Sequence, residues 1–154
     1  MNNEMSHLRL VQLDKKMAHF TALKTQAPPG KGWIHAIRTA LGMSLLQLGK
    51  RLKMTPQGVK DIERRENDGS ITIQKLREVA ANLDMQLVYG LVPKELNLEK
   101  LIEKRAYELA REIVLETSHH MKLENQGLTA SEISDAIERR AKKIINEIPN
   151  NLWS

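Results

Sequence analysis

Residues 37–66 read IRTALGMSLLQLGKRLKMTPQGVKDIERRE. This stretch predicts two short helices joined by a tight turn. Ser44 opens the first helix, and Gln47 three residues on makes a capping box of the S-x-x-Q form. Thr55 opens the second, with Pro56 at the first helical position, where the missing N–H costs nothing. Leu48, Leu52, Val59 and Ile62 recur at helical spacing and can face one small core. Gly49 lies on the same side, where a side chain would hold the two helices apart.

The spacing resembles the lambda/Cro-type (XRE) helix-turn-helix. The resembling elements are Ile37-Arg38, the turn Gly42-Met43-Ser44, the helix Leu48-Gly49-Lys50-Arg51-Leu52, and Thr55 through Val59, Ile62 and Glu63. The likeness implies a second helix laid in the major groove of double-stranded DNA. Ser44, Thr55, Gln57, Gly58, Lys60, Asp61, Arg64 and Arg65 become the candidate DNA-binding residues. Gln57 can donate and accept at one base edge, best with adenine. Lys60, Arg64 and Arg65 face phosphate or base edges, and Asp61 either accepts from cytosine or repels locally. Arg38 and Glu63 stand where the family pairs its first helix with the end of the recognition helix. The chain departs from the pattern at Leu45, where a phosphate-touching Gln is common, and at Pro56, where the family usually has a polar reader.

Charge placement points the same way. Residues 1–30 carry four basic and two acidic side chains, residues 31–66 eight and three, and residues 67–154 twelve and fourteen. The formal net charge of +5 therefore comes from the N-terminal half, and a localised basic face is what attraction to phosphate requires. The chain has no cysteine, which excludes disulfides and thiolate chemistry and suits a reducing cytoplasm. No apolar run approaches 18 residues and no export signal is seen, so no membrane association is expected.

The fold class expected is mostly α: a lambda-repressor-like helix-turn-helix domain with one short β-strand and a C-terminal helical extension. Residues 1–32 give an amphipathic helix over 4–20, with Met5, Leu8, Val11 (or Leu10) and Met17 near one face, and a linker ending in APPGKG. Residues 33–85 form the helix-turn-helix domain, closed by a helix from about Thr72 to Leu83. Residues 86–93, QLVYGLVP, alternate Leu87, Tyr89 and Leu91 with Val88, Gly90 and Val92 and read as a strand. A lone strand leaves backbone groups unpaired. Its partner is either the same strand of a second protomer or Ile71-Thr72-Ile73; a homodimer is expected, joined through this strand or through the C-terminal helical hairpin of the 94–154 interaction region. Residues 94–154 read as two helices, 95–123 and Thr129 to about Ile148. A capping box of Thr129 and Glu132 opens the second, and the tail packs Leu152 and Trp153 on the body.

Over its length the chain also resembles the mobile mystery protein A family. The resembling segments are LDKKMAHF, PPGKGWIHAIRTALGMS, LREVAANLDMQLVYGLVP and HHMKLENQGL. This likeness implies a regulator carried on a mobile element beside a Fic-domain protein, and hence an operon autorepressor. The alternative it implies is an antitoxin-like inhibitor that binds a Fic-type AMP transferase directly. Glu124 and Asn125 fit the end of the Fic-inhibitory pattern, with His120 at its hydroxyl position.

An enzyme is not expected, and neither a cofactor nor a metal is implied. His119 and His120 are adjacent and so point to different faces of a helix. Gly30-Lys31-Gly32 lacks P-loop spacing.

Overall fold

Where the apolar spacing is helical and a capping residue precedes it, a helix forms. The computed structural model describes residues 2–154. Among the described residues seven α-helices follow one another: α1 (Asn2–Ala18), α2 (Trp33–Ala40), α3 (Leu45–Leu52), α4 (Pro56–Asp68), α5 (Ile73–Asn82), α6 (Leu98–Leu123) and α7 (Ala130–Glu147). Short 3-10 turns cover Thr21–Thr25 and Asn150–Trp153. The chain divides into two compact units, one of residues 23–90 and one of residues 1–22 with 91–154.

The unit of residues 23–90 holds α2 to α5. Ile34, Leu48, Leu52, Val59, Ile62, Val79 and Leu83 are its buried core, with Ile37, Met43, Leu45, Met54, Ile71 and Leu76 packed around them. Leu45, the departure from the family pattern, thus serves the core. Side-chain oxygens of Ser44, Thr55 and Thr72 cap α3, α4 and α5 by accepting from backbone N–H groups three residues on. Each such cap contributes about 1 kcal/mol. α2 has no local cap, because Gly32 precedes it at φ 88. The Glu66 carboxylate near the end of α4 takes that role, accepting from Trp33 N–H (2.7 Å) and Ile34 N–H (2.9 Å). α5 ends in a Schellman motif: Asp84 is left-handed at φ 57, and Met85 N–H donates to Ala80 O at 2.8 Å.

The expected strand over 86–93 is not formed, and no strand occurs among the described residues. The reason is the missing partner. Thr72 is spent capping α5 and Ile73 is its first residue, so Ile71-Thr72-Ile73 cannot offer a strand edge. Residues 86–92 run without regular structure. Leu87 and Val88 line an apolar groove of about 320 Å³ with Trp33, Ile37, Leu76 and Leu83.

In the other unit α6 and α7 form an antiparallel hairpin. Ala106 and Ala110 on α6 meet Ala141 and Ile144 on α7, and small side chains let the backbones approach closely. Ile102, Leu109, Ile113, Ile137 and Ile148 surround this seam. Leu152 is fully buried against it, whereas Trp153, expected to pack beside it, is exposed. Arg105 holds the tail by donating to Leu152 O (2.7 Å) and Ser154 O (2.9 Å). The half-buried face of α1 is Leu10, Val11, Asp14 and Met17; Met5 and Leu8, expected on it, are exposed. Asp14 caps α6, accepting from Leu98 N–H (2.8 Å) and Glu99 N–H (3.3 Å).

Candidate nucleic-acid interface

The turn between α3 and α4 is set by backbone geometry. Lys53 is left-handed at φ 55, and Met54 N–H donates back to Gly49 O at 2.9 Å, a Schellman ending for α3. A Cβ on Gly49 would stand 2.6 Å from the Met54 carbonyl oxygen and 3.5 Å from Val59 Cγ2. Glycine is therefore what lets α4 follow α3 so tightly.

The inner side of α4 is fixed by a buried ion pair. Arg38 and Glu63 are each only 8% exposed. Arg38 Nε donates to Glu63 Oε1 at 2.5 Å and Nη2 to Oε2 at 3.3 Å, while Nη1 donates to Met43 O at 2.9 Å. His35 Nδ1 lies 3.0 Å from Glu63 Oε2 and donates to it, since a carboxylate can only accept. Burial pushes the Glu63 carboxyl up, but the hydrogen bonds and charges of Arg38 and His35 outweigh it and hold the group below the usual glutamate range. Arg38 thereby ties α2, the turn before α3, and α4 together.

The outer side of α4 is open. At 100° per residue, Gln57, Lys60, Asp61, Arg64 and Asp68 share one face, opposite the buried Val59, Ile62 and Glu63. Gln57 and Lys60 are exposed, Asp61, Gly58 and Arg65 half-buried. Arg64 does not stand alone: its Nη2 donates to Asp61 Oδ1 (2.7 Å) and its Nη1 to Asp68 Oδ2 (2.9 Å). Lys50, Lys53 and Lys60 are exposed at the end of α3, in the turn and on α4. Among the described residues, none of these three has an ion pair. Ser44 Oγ accepts from Gln47 N–H at 3.1 Å and Thr55 Oγ1 from Gly58 N–H at 3.0 Å, leaving each hydroxyl proton at a helix start, where an anion is favoured.

Residues 34–89 match the helix-turn-helix family model. They are a Cro/C1-type helix-turn-helix domain, a DNA-binding domain of XRE-type regulators rather than an enzyme family. No curated protein and no solved structure matches the chain. Within the helix-turn-helix, α3 and α4 are the two helices of the motif, and α4 stands second, the position of a recognition helix. Sequence spacing picked out the exposed Gln57 and Lys60. It missed Glu66, which positions α2, and Asp68, which engages Arg64. Both lie in the run of charges around Arg64-Arg65, where only the folded geometry separates structural from exposed groups.

Glu124 and Asn125 lie outside this domain, exposed at the end of α6. Asn125 is left-handed at φ 57, its N–H donates to Lys122 O (3.2 Å), and Gln126 N–H donates to Met121 O (2.8 Å). These bonds are those of a Schellman helix end. Among the described residues no cluster of His, Cys, Asp or Glu suits a metal ion, and no helix is long and apolar enough to cross a membrane.

Proposed function

We propose that the chain is a sequence-specific DNA-binding regulator that acts as a homodimer on a two-fold operator and represses its own operon. The observation that carries this is the division of α4. Its inner face is locked by Arg38, Glu63 and Glu66, and its outer face presents Gln57, Lys60 and Arg64 to solvent. A rigid helix with an open polar face can enter the major groove without first ordering itself. The unpaired Lys50, Lys53 and Lys60 supply phosphate attraction.

One such helix spans only a few base pairs, and a two-fold dimer places two of them ~34 Å apart, one turn of DNA. Residues 86–92 favour such a dimer. They alternate apolar side chains, Val88 is 67% and Leu91 82% exposed, and among the described residues their backbone groups make no hydrogen bonds. Antiparallel pairing with the same segment of a second copy would satisfy those groups and bring Leu87 opposite Leu91. The resemblance to mobile mystery protein A supports an operon that also encodes a Fic-domain protein.

The test is a gel shift on the chain's own upstream region, with and without the neighbouring gene product, beside light scattering at micromolar concentration. Retarded DNA and a dimer mass are expected, with Gln57→Ala lowering discrimination between operator and random duplex. No shift in either condition would refute the DNA-binding reading, and a monomer mass the dimer.

A further inference from the structure

The outer face of α4 carries two cations, Lys60 and Arg64, and two carboxylates, Asp61 and Asp68, so its formal charge is zero. That is unexpected for a surface meant to approach a polyanion. The carboxylates are not loose. Asp68 is held on both oxygens: Oδ1 accepts from Ser70 N–H (2.9 Å) and from the Ser70 hydroxyl, and Oδ2 accepts from Arg64. Gly69, left-handed at φ 81, turns the chain so that Ser70 comes back to Asp68. Asp61 holds the other Nη of the same guanidinium. Arg64 thus spans nearly two helical turns between fixed anchors, while its side chain stays 65% exposed. The Asp61 hydrogen bond raises the Arg64 pKa, and the Ser70 hydroxyl lowers that of Asp68, so both ends of the Arg64–Asp68 pair favour the charged form.

Such an arginine discriminates between two acceptors. A phosphate oxygen brought to Arg64 also meets the negative charges of Asp61 and Asp68, and the repulsion cancels much of the attraction. The O6 and N7 atoms of guanine carry only partial negative charge, so the carboxylates oppose that approach far less than they oppose a phosphate. Each Nη keeps one N–H beyond those given to the carboxylates, and Nε–H is also unspent among the bonds described for this residue. We propose that Arg64 is a guanine-reading residue of the interface, kept off phosphate by Asp61 and Asp68. This rests on the DNA-binding reading above and assigns affinity and specificity to different residues: Lys50, Lys53 and Lys60 to phosphate, Arg64 to a base.

The experiment starts by enriching duplexes from a randomised library with the full chain. Each guanine of the enriched site is then replaced by 7-deazaguanine, which lacks the N7 acceptor. One guanine per half-site is expected whose replacement weakens the wild type roughly tenfold and leaves Arg64→Ala or Arg64→Gln unaffected. Asp61→Asn is expected to bind a scrambled duplex several-fold more tightly and to steepen the salt dependence by about one phosphate contact. If Arg64→Ala and Arg64→Gln lose the same factor on enriched and scrambled duplexes, Arg64 is a phosphate anchor and the inference is overturned. Enrichment without an Arg64-dependent guanine overturns it too, leaving the DNA-binding reading in place. No enrichment by the wild type overturns both.

Discussion

Removing the carboxylate of Glu63 is the most direct way to ask what orients the recognition helix. Glu63→Ala leaves Arg38 buried with the Met43 carbonyl as its remaining carbonyl acceptor and His35 Nδ1 3.4 Å from its Nη2, and it takes from His35 its carboxylate partner. Removing one member of a buried pair costs about 3–5 kcal/mol, because the remaining charge is uncompensated. Arg38 keeps one hydrogen bond and lies beside the surface, so the lower end applies, about 3 kcal/mol. In a domain of this size that lowers Tm by roughly 15 °C, at about 4–8 °C per kcal/mol. Urea unfolding followed by Trp33 fluorescence in a Trp153→Phe background reports on residues 23–90, because the chain's two tryptophans lie in different units. The double variant Arg38→Met with Glu63→Leu removes both charges and is expected to cost less than either single change. The pH dependence has a definite sign. The folded-state pKa of Glu63 is lowered, so its contribution is complete above the ordinary glutamate range and is lost as pH falls through the lowered value. Glu63→Gln should lack that acid limb. A cost below about 1 kcal/mol for Glu63→Ala, or a double variant as unstable as the sum of the singles, would refute the reasoning.

Three other perturbations follow from the packing. Gly49→Val would drive side-chain carbon into the Met54 carbonyl, destabilising the domain by about 2–3 kcal/mol in the same titration and abolishing DNA retardation; an unchanged midpoint would show that the turn can open. Glu66→Ala uncaps α2 and should cost about 1–2 kcal/mol, with faster hydrogen exchange at Trp33 and Ile34 as the local signature. Leu152→Ala empties a fully buried site and should cost about 3 kcal/mol, read from Trp153 in a Trp33→Phe background, with the midpoint of residues 23–90 unmoved.

What could be read from sequence was what is local along the chain. The Ser44, Thr55 and Thr129 caps need only a hydroxyl and the next turn of backbone, and all three form. Leu48, Leu52, Val59 and Ile62 repeat at the helical period, and all four are buried. Apart from the Arg38–Glu63 pair, which the family resemblance supplied, groups that act across the fold were not legible. Glu66 capping α2 and Asp14 capping α6 join residues about 32 and 84 positions apart, and nothing in a carboxylate's neighbours announces a distant helix start. On the α6 side of the α6–α7 seam, Ala106 and Ala110 stand at the centre, and the spacing of leucines and isoleucines along the chain does not point to them, because close backbone approach favours small side chains there. The 86–93 strand was inferred from alternation alone. Alternation specifies which side chains could share a face but supplies no second strand.

The unit of residues 23–90 is an insertion within the other unit. α1 is translated before it, and α6, the helix that Asp14 caps, only after it. The inserted segment is contiguous, so its core can close while α1 still presents Leu10, Val11 and Met17 without a partner. Joining α1 to α6 must then bridge the whole insertion, a non-local step whose entropic cost falls once the intervening residues are already compact. The topology therefore allows the helix-turn-helix unit to close while the discontinuous unit is still open. It also means that one cut in the chain on either side of residues 23–90 leaves them covalently attached through the other.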